Sequence, residues 1–231
     1  KLVARAFAPR RLKALRPRVQ QLVDDSLDAV EAKGEMDFLS DFAFPLPVHV
    51  ICDMLGIPAE ERNFLFDGSR VSGRLIDPTP MSPEELKQVN EGHMEQVAFF
   101  RSLFERRRKT PDDDIITELL GAADDGDKLS DDELIGNIIL LFGAGHETTV
   151  NMLGNGMLHL LSNPEEWEKL KADPSLVPSA VEEILRFDSS VQMTGRTALE
   201  DVEIGGVTIP AGEAVLNLLG AANRDPEQFD G

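Results

Sequence analysis

The chain has 231 residues, of which 42% are hydrophobic and 28% charged, and this balance predicts a globular protein rather than a disordered one. Forty-two acidic residues oppose 23 basic ones, and the resulting net charge of −19 argues against nucleic acid or anionic lipid as a partner of the whole chain. A single cysteine allows no internal disulfide and no apolar run is long enough for a membrane span, so we expect a cytoplasmic protein that binds no membrane.

The N-terminal 20 residues are basic, whereas the rest of the chain is acidic. Seven basic residues and no acid occur there: Lys1, Arg5, Arg10, Arg11, Lys13, Arg16 and Arg18. This stretch is either a solvated helix face or a docking surface for an acidic partner. Apolar residues spaced by three and four from Leu12 to Val30 predict one amphipathic helix, which Gly34 ends.

The next part of the chain alternates predicted helices with loops rich in glycine, proline and acidic residues. Cys52 lies in a short apolar helix bounded by prolines, so we expect it in the core. Helices are predicted at Val48–Leu55, Glu84–Lys109 and Ile115–Leu120, and loops at Ser69–Pro83 and Gly121–Lys128.

A long helix is predicted to begin after Ser130, which with Glu133 forms a capping-box sequence. The next proline is Pro164, so the helix could extend over about 32 residues, or roughly 48 Å. Apolar residues cover most of its circumference, and this pattern predicts a central, buried helix.

The middle of that helix contradicts both helix propensity and burial, because it reads Gly143-Ala144-Gly145-His146-Glu147-Thr148-Thr149. Such a local inconsistency suggests a functional site. Glycines would let a flat ligand lie close to the backbone, and an interior hydroxyl can bond a backbone carbonyl. Tight helix packing is the alternative. A zinc-protease motif is disfavoured because Val150 stands where the second histidine would be.

Two further features follow towards the C-terminus. Glu183 and Arg186 stand three residues apart on the helix predicted at Pro178–Phe187, where apolar neighbours suggest a buried ion pair. Alternating residues on either side of Gly205-Gly206 predict a β-hairpin within Val202–Val215.

Taken in this order, the motifs resemble those of the cytochrome P-450 superfamily of haem-thiolate monooxygenases, and those of its soluble bacterial type in particular. Four segments carry the resemblance to the superfamily: Ala144-Gly145-His146-Glu147-Thr148, Glu183-Ile184-Leu185-Arg186, the Gly205-Gly206 hairpin and Ala222-Asn223-Arg224-Asp225-Pro226. Residues 1–7, 9–12 and 51–58 resemble those of the soluble bacterial type, so the resemblance covers essentially the whole chain. It implies a mainly α fold, with one long central helix and a small β-sheet near the C-terminus.

The resemblance also implies roles for individual residues. Thr148 matches the hydroxyl that helps to protonate dioxygen, and Glu147 matches the acid of the proton-delivery network. Cofactor contacts with haem (heme) are implied for Ala144, Gly145, Thr148 and Arg196, the last through a propionate. Substrate-pocket positions, each of which could equally be plain core, are Leu140, Leu141, Ala144, Val191, Gln192 and Met193. Glu183 and Arg186 match a structural pair rather than catalytic residues.

One departure from the family pattern concerns the iron ligand. The family supplies a cysteine in a Phe-x-x-Gly loop after the Asn223–Pro226 region, and Cys52 has no such glycine-rich loop around it. We therefore expect one P-450 domain over residues 1–231 that is truncated at both ends, lacks the metal ligand and is inactive alone.

For the full-length parent, the resemblance implies a haem enzyme that uses O2 and two electrons to hydroxylate or epoxidise an apolar small molecule. It also implies electron supply by an acidic ferredoxin. The alternative is a non-catalytic helical interaction module, or a fragment that binds no haem.

Overall fold

The structure, a computed structural model, describes residues 9–62, 65, 80–121 and 129–229. Most of the predicted Ser69–Pro83 and Gly121–Lys128 loops, and Lys1 and Arg5 of the basic stretch, lie outside the described residues. The chain divides into two compact units, Lys1–Val150 and Asn151–Gly231. The organisation of residues 1–231 as a single domain stays a prediction.

The described residues of the first unit form helices and their connecting loops, with no strand among them. Its α-helices are α1 (Pro9–Glu31), α2 (Pro45–Met54), α3 (Pro83–Lys109), α4 (Ile115–Gly121) and the first part of α5 (Asp131–Ser162), with a π-helix at Phe38–Ala43 and a 3₁₀ turn at Ala59–Glu61. The helices predicted from periodicity are confirmed, and Gly34 follows α1 with a positive φ of 69°. The 32-residue length predicted for α5 is also confirmed.

The core of the first unit is built by apolar side chains from α2, α3, α4 and α5. Phe100 and Phe104 of α3 and Ile138 and Phe142 of α5 belong to one cluster of buried residues. Cys52 belongs to this cluster and is fully buried, so its predicted place in the core is confirmed. Burial of such large side chains is the main source of stability available to the unit.

A buried ion pair fixes the turn after α2. The Arg107 guanidinium at the end of α3 binds the Asp114 carboxylate and donates to the Gly56 carbonyl at 2.6 Å. Asp114 also accepts a 2.7 Å hydrogen bond from the backbone N–H of Thr117, in the first turn of α4. One charge pair therefore joins α3, α4 and the loop that follows α2.

The beginning of α5 carries the predicted capping box. The Ser130 backbone N–H donates to Glu133 Oε2 at 2.8 Å, and the Glu133 N–H donates to Ser130 Oγ at 3.3 Å. The Ser130 hydroxyl also donates to Glu133 Oε2 at 2.8 Å, and the two bonds that Ser130 donates to this carboxylate lower the pKa of Glu133 below its ordinary value, because they favour the charged form. The helix is buried on one face, whereas Leu140, Leu158 and Leu161 are exposed. The predicted burial of α5 therefore holds for one face only, and these three side chains lie outside that face.

The second unit contains the rest of α5, three further helices and four short strands. They are α6 (Pro164–Ala172), α7 (Val177–Phe187), β1 (Thr194–Thr197), β2 (Val202–Ile204), β3 (Val207–Ile209), β4 (Ala214–Asn217) and α8 (Leu219–Ala222), with a 3₁₀ turn at Pro174–Leu176. Strands β2 and β3 form the predicted hairpin, in which Gly205 and Gly206 have positive φ. Strand β1 pairs with β4 in a second antiparallel sheet, which the sequence did not predict.

Each helix within the described ranges is either too short or too polar to span a lipid bilayer.

Candidate active site on the long helix

The glycine-rich middle of α5 is a continuous α-helix whose two threonines bond to their own backbone. Thr148 Oγ1 donates to the Ala144 carbonyl at 2.7 Å, and Thr149 Oγ1 donates to the Gly145 carbonyl at 2.9 Å. Each hydroxyl thus shares a carbonyl that already serves the helix, a pattern that slightly weakens the helical ladder.

One side of this segment packs against the elements at the start of α2. His146 is 3% exposed, and its Nε2 lies 3.3 Å from the Phe44 carbonyl oxygen. The imidazole ring is perpendicular to the Phe44 ring, with 4.6 Å between the ring centres. A Cβ on Gly145 would lie 3.2 Å from Ile51 Cδ1, which is tighter than an ordinary contact. Close helix packing therefore accounts for Gly145, as the alternative interpretation of the motif expected.

The other side of the segment is open. Leu140, Ala144 and Glu147 are exposed, and Thr148 is partly exposed. Their spacing of three and four residues places them along one face of the helix. A short side chain at Ala144 thus lies between a leucine on one side and an acid and a hydroxyl on the other. Leu141 is partly buried and lies off this face.

In the second unit, Glu183 and Arg186 form the predicted pair. Arg186 donates to Glu183 from Nε at 2.7 Å and from Nη2 at 2.6 Å, and these bonds lower the pKa of Glu183. The expectation of a buried pair is wrong for Glu183, whose side chain is 58% exposed against 19% for Arg186. The reason is that Glu183 lines a cleft formed by α5, α6 and α7, where solvent reaches its carboxylate.

Arg186 also fixes the segment that follows α8. Its Nη1 donates to the Asn223 carbonyl at 2.6 Å, and its guanidinium lies 4.5 Å from the centre of the Phe229 ring. A second bond runs from the Asn223–Pro226 motif back to α7, because Arg224 donates from Nε to the Phe187 carbonyl at 2.6 Å. The two arginines therefore hold the Asn223–Pro226 motif against the end of α7.

The remaining predicted residues of the second unit are exposed. Val191, Gln192 and Met193 form the irregular segment before β1, and Gln192 Nε2 donates to the Ser189 carbonyl at 2.5 Å. Arg196 lies on β1 with its guanidinium exposed, and its Nη1 bonds the Gly195 carbonyl at 2.7 Å.

Cys52 does not suit the role of an iron ligand. Burial raises the pKa of its thiol to about 12, because the apolar surroundings disfavour the thiolate. The side chain is fully buried in the core of the first unit. A ligating sulfur must be deprotonated and accessible to the metal, and Cys52 is neither.

Sequence reasoning missed a polar contact between the end of α5 and the end of α7. His159 Nε2 lies 2.8 Å from Asp188 Oδ2, and Asn155 Nδ2 donates to the Asp188 carbonyl at 3.1 Å. The residues are about 30 positions apart, and no local spacing in the sequence signals their contact.

Comparison with known proteins decides the family. The family model described as cytochrome P450 matches residues 1–231. The chain belongs to the cytochrome P450 family. It is 46% identical over 229 residues to vitamin D(3) 25-hydroxylase of Pseudonocardia autotrophica, and 43% identical over 230 residues to 6-deoxyerythronolide B hydroxylase of Saccharopolyspora erythraea.

These alignments cover 98% and 99% of the chain but 55% of each relative, so the chain spans about half the length of the P450s that it matches. The solved structure of P450BioI in complex with hexadec-9Z-enoic acid ligated acyl carrier protein superposes with a TM-score of 0.94 at 42% identity. The superposition covers 99% of this chain and 58% of P450BioI, and it confirms the predicted partial P450 fold.

Proposed function

We propose that the full-length protein is a P450 monooxygenase that hydroxylates or epoxidises an apolar small molecule. The observation that carries the proposal is the open face of α5, where Ala144, Glu147 and Thr148 lie side by side in a chain of this family. The overall reaction would consume O2, two electrons and two protons, place one oxygen atom on the substrate and release the other as water.

The described residues fit haem as the cofactor. Ala144 offers a short side chain on an open helix face, where a flat group can approach the backbone, and Gly145 and Thr148 lie beside it. On β1 of the second unit, the exposed Arg196 guanidinium suits a propionate, since arginine pairs with carboxylates. When bound, haem supplies the iron chemistry that activates O2. Because Cys52 is buried and neutral, we propose that the iron ligand is a cysteine outside these 231 residues.

Thr148 would donate protons to the reaction, and Glu147 would return them to Thr148. The Thr148 hydroxyl holds its proton against the Ala144 carbonyl, and rotation about χ1 would turn that proton towards the open face. The exposed Glu147 carboxylate can take up a proton from solvent and return it to the hydroxyl through water. The Thr148 hydroxyl would therefore regain its proton before the next turnover.

The substrate and partner assignments belong to the same proposal. Leu140 on the open face, with Leu141 beside it, and Val191–Met193 before β1 would contribute apolar surface to the substrate pocket. A ferredoxin-type protein would supply electrons, and the enzyme would act in the cytoplasm. A carbon monoxide difference spectrum of the reduced full-length protein tests the haem-thiolate assignment directly, and absence of a thiolate-type band would contradict it.

The proton role predicts a specific defect. In the full-length enzyme, Thr148→Ala is expected to keep substrate binding and lower the share of electrons recovered as product, because the donor hydroxyl is lost. Thr149→Ala is the matched control, since it removes the same kind of bond to a backbone carbonyl one residue away. Product formed per electron consumed is the measurement. Equal coupling in the two variants would remove Thr148 from the proposed role.

A further inference from the structure

The carboxylate of Asp188 collects polar contacts from three separate segments of the second unit. Its Oδ2 lies 2.8 Å from His159 Nε2 on α5, and its Oδ1 lies 3.5 Å from Gln192 Nε2 and 3.9 Å from Arg224 Nη2. Its backbone carbonyl accepts from Asn155 Nδ2 at 3.1 Å. Asp188 therefore connects α5, the segment before β1 and the Asn223–Pro226 motif.

The bond between His159 and Asp188 is partly sheltered from solvent. The two side chains are 32% and 29% exposed, and the His159 ring stands perpendicular to the Phe187 ring with 5.0 Å between the ring centres. Packing against Phe187 limits the ring orientations of His159, so its Nε2 is held towards the carboxylate. A hydrogen bond in such a partly desolvated place is stronger than one at an open surface.

Asp188 is the residue at which α7 ends and the irregular segment 189–193 begins. Its own N–H closes the last helical bond, to Ile184 at 3.2 Å. At the far end of the segment, the Gln192 carbonyl accepts from the Gly220 N–H at 3.0 Å, and a Cβ on Gly220 would lie 2.1 Å from Gln192 Oε1. The segment is thus anchored at both ends, once through Asp188 and once against α8.

We propose that His159 and Asp188 are positioning residues, which set where Val191, Gln192 and Met193 lie relative to the C-terminal half of α5. The inference rests on the proposed function, which places these three residues in the substrate pocket. Loss of the bond would remove the shortest of the contacts to the Asp188 side chain and so loosen the start of the segment, while its far end stays fixed. The pocket would then bind apolar ligands less tightly, whereas access to the iron would not change.

The test uses the full-length haem protein, two substitutions at one position and two probe ligands. His159→Leu removes the donor, and His159→Gln keeps an N–H near the position of Nε2. Imidazole binds haem iron without extending into the pocket, whereas 4-phenylimidazole also needs apolar contacts. Dissociation constants come from the spectral shift that each ligand causes, and hydrogen exchange of the peptide containing residues 189–193 provides a readout independent of haem.

We expect His159→Leu to raise the dissociation constant of 4-phenylimidazole about threefold to tenfold, the equivalent of one hydrogen bond. The dissociation constant of imidazole should stay within about twofold of the wild-type value. Exchange in residues 189–193 should accelerate, and His159→Gln should restore both values. Asn163→Ala is the matched control, because the Asn163 side chain donates to the His159 backbone carbonyl at 2.8 Å rather than to its ring, and its loss should change neither readout. Asp188→Asn, which keeps the shape and removes the charge, should act like His159→Leu to a smaller extent.

An unchanged ratio of the two dissociation constants in His159→Leu would overturn the proposal, as would equal losses in the leucine and glutamine variants. If the wild-type protein gave no spectral shift with imidazole, the proposed function would fail instead. In that case the exchange rates of residues 189–193 would still decide whether His159 anchors the segment.

Discussion

At Gly56 the backbone adopts a φ of +66°, and a Cβ there would lie 2.1 Å from Asp114 Oδ2. Gly34 has a nearly equal φ of +69°, yet no atom lies within 4 Å of the place where its Cβ would be. Both glycines therefore hold a left-handed backbone conformation, and only at Gly56 would a side chain also collide with a neighbour. The carboxylate that would be displaced is the one that binds Arg107.

Alanine substitution should separate these two requirements. Gly34→Ala should lower the free energy of unfolding by about 1 kcal/mol, the cost of a left-handed conformation. Gly56→Ala should cost about 3 kcal/mol or more, because it also disrupts a buried ion pair. Urea unfolding of the full-length protein measures both. Equal losses would show that the space around Gly56 has no consequence.

The raised pKa of Cys52 predicts that its thiol is inert in the folded protein. With a pKa of about 12, the thiolate is about one part in ten thousand at pH 8, and full burial also blocks reagents. Iodoacetamide should therefore leave the Cys52 peptide unlabelled until denaturant unfolds the protein, as mass spectrometry can follow. Rapid labelling under native conditions would contradict its place in the core.

At the scale of elements, two neighbouring arginines at the end of α3 make ion pairs in different surroundings. Arg107 binds Asp114, whose side chain is 3% exposed, whereas Arg108 binds Asp131, and both members of that second pair are nearly half exposed. Exposed pairs are screened by water and contribute little, but removing one member of a buried pair strands the other charge.

These surroundings predict unequal effects of the same substitution. Arg107→Ala should destabilise the protein by about 3 to 5 kcal/mol, because Asp114 would be left charged in the core of the first unit. Arg108→Ala should cost at most about 1 kcal/mol, with solvent screening taken into account. The midpoint of urea unfolding distinguishes the two, and similar midpoints would mean that Asp114 finds another donor or gains a proton.

The accuracy of sequence-based prediction differs among elements for physical reasons. The ends of α5 could be read from Ser130, Glu133 and Pro164, because capping and proline act locally. The glycines, acid and hydroxyls at positions 143–149, which are unusual in a buried helix, likewise identified this segment as a candidate site. Strands β1 and β4 were missed because they are four residues long and pair across about 20 residues. The exposure of Glu183 and the bond between His159 and Asp188 depend on tertiary packing, which no local pattern encodes.

At the scale of the whole molecule, the distribution of charge affects where an acidic partner can dock more than the net charge of −19 does. The seven basic residues within positions 1–18 are set against an excess of 26 acids in the rest of the chain. Not all of these bases are free for a partner, because Arg18 binds Asp53 at 2.7 Å. Asp53 is shared with Arg62, which binds its other oxygen at 2.6 Å.

The basic stretch predicts how the proposed ferredoxin-type donor would dock. Since both proteins would be acidic overall, a local basic surface must overcome their long-range repulsion, so Arg5→Glu or Arg10→Glu should mainly lower the association rate. Raising the salt concentration should reduce the wild-type rate in the same way. Lys87→Glu makes an equal change in net charge at an exposed position on α3 and serves as the control. Stopped-flow reduction of the full-length enzyme by ferredoxin measures these rates. If Lys87→Glu slows reduction as much as Arg5→Glu does, net charge rather than the basic stretch controls the encounter. If none of the three substitutions and no change of salt alters the rate of reduction, the docking surface lies elsewhere.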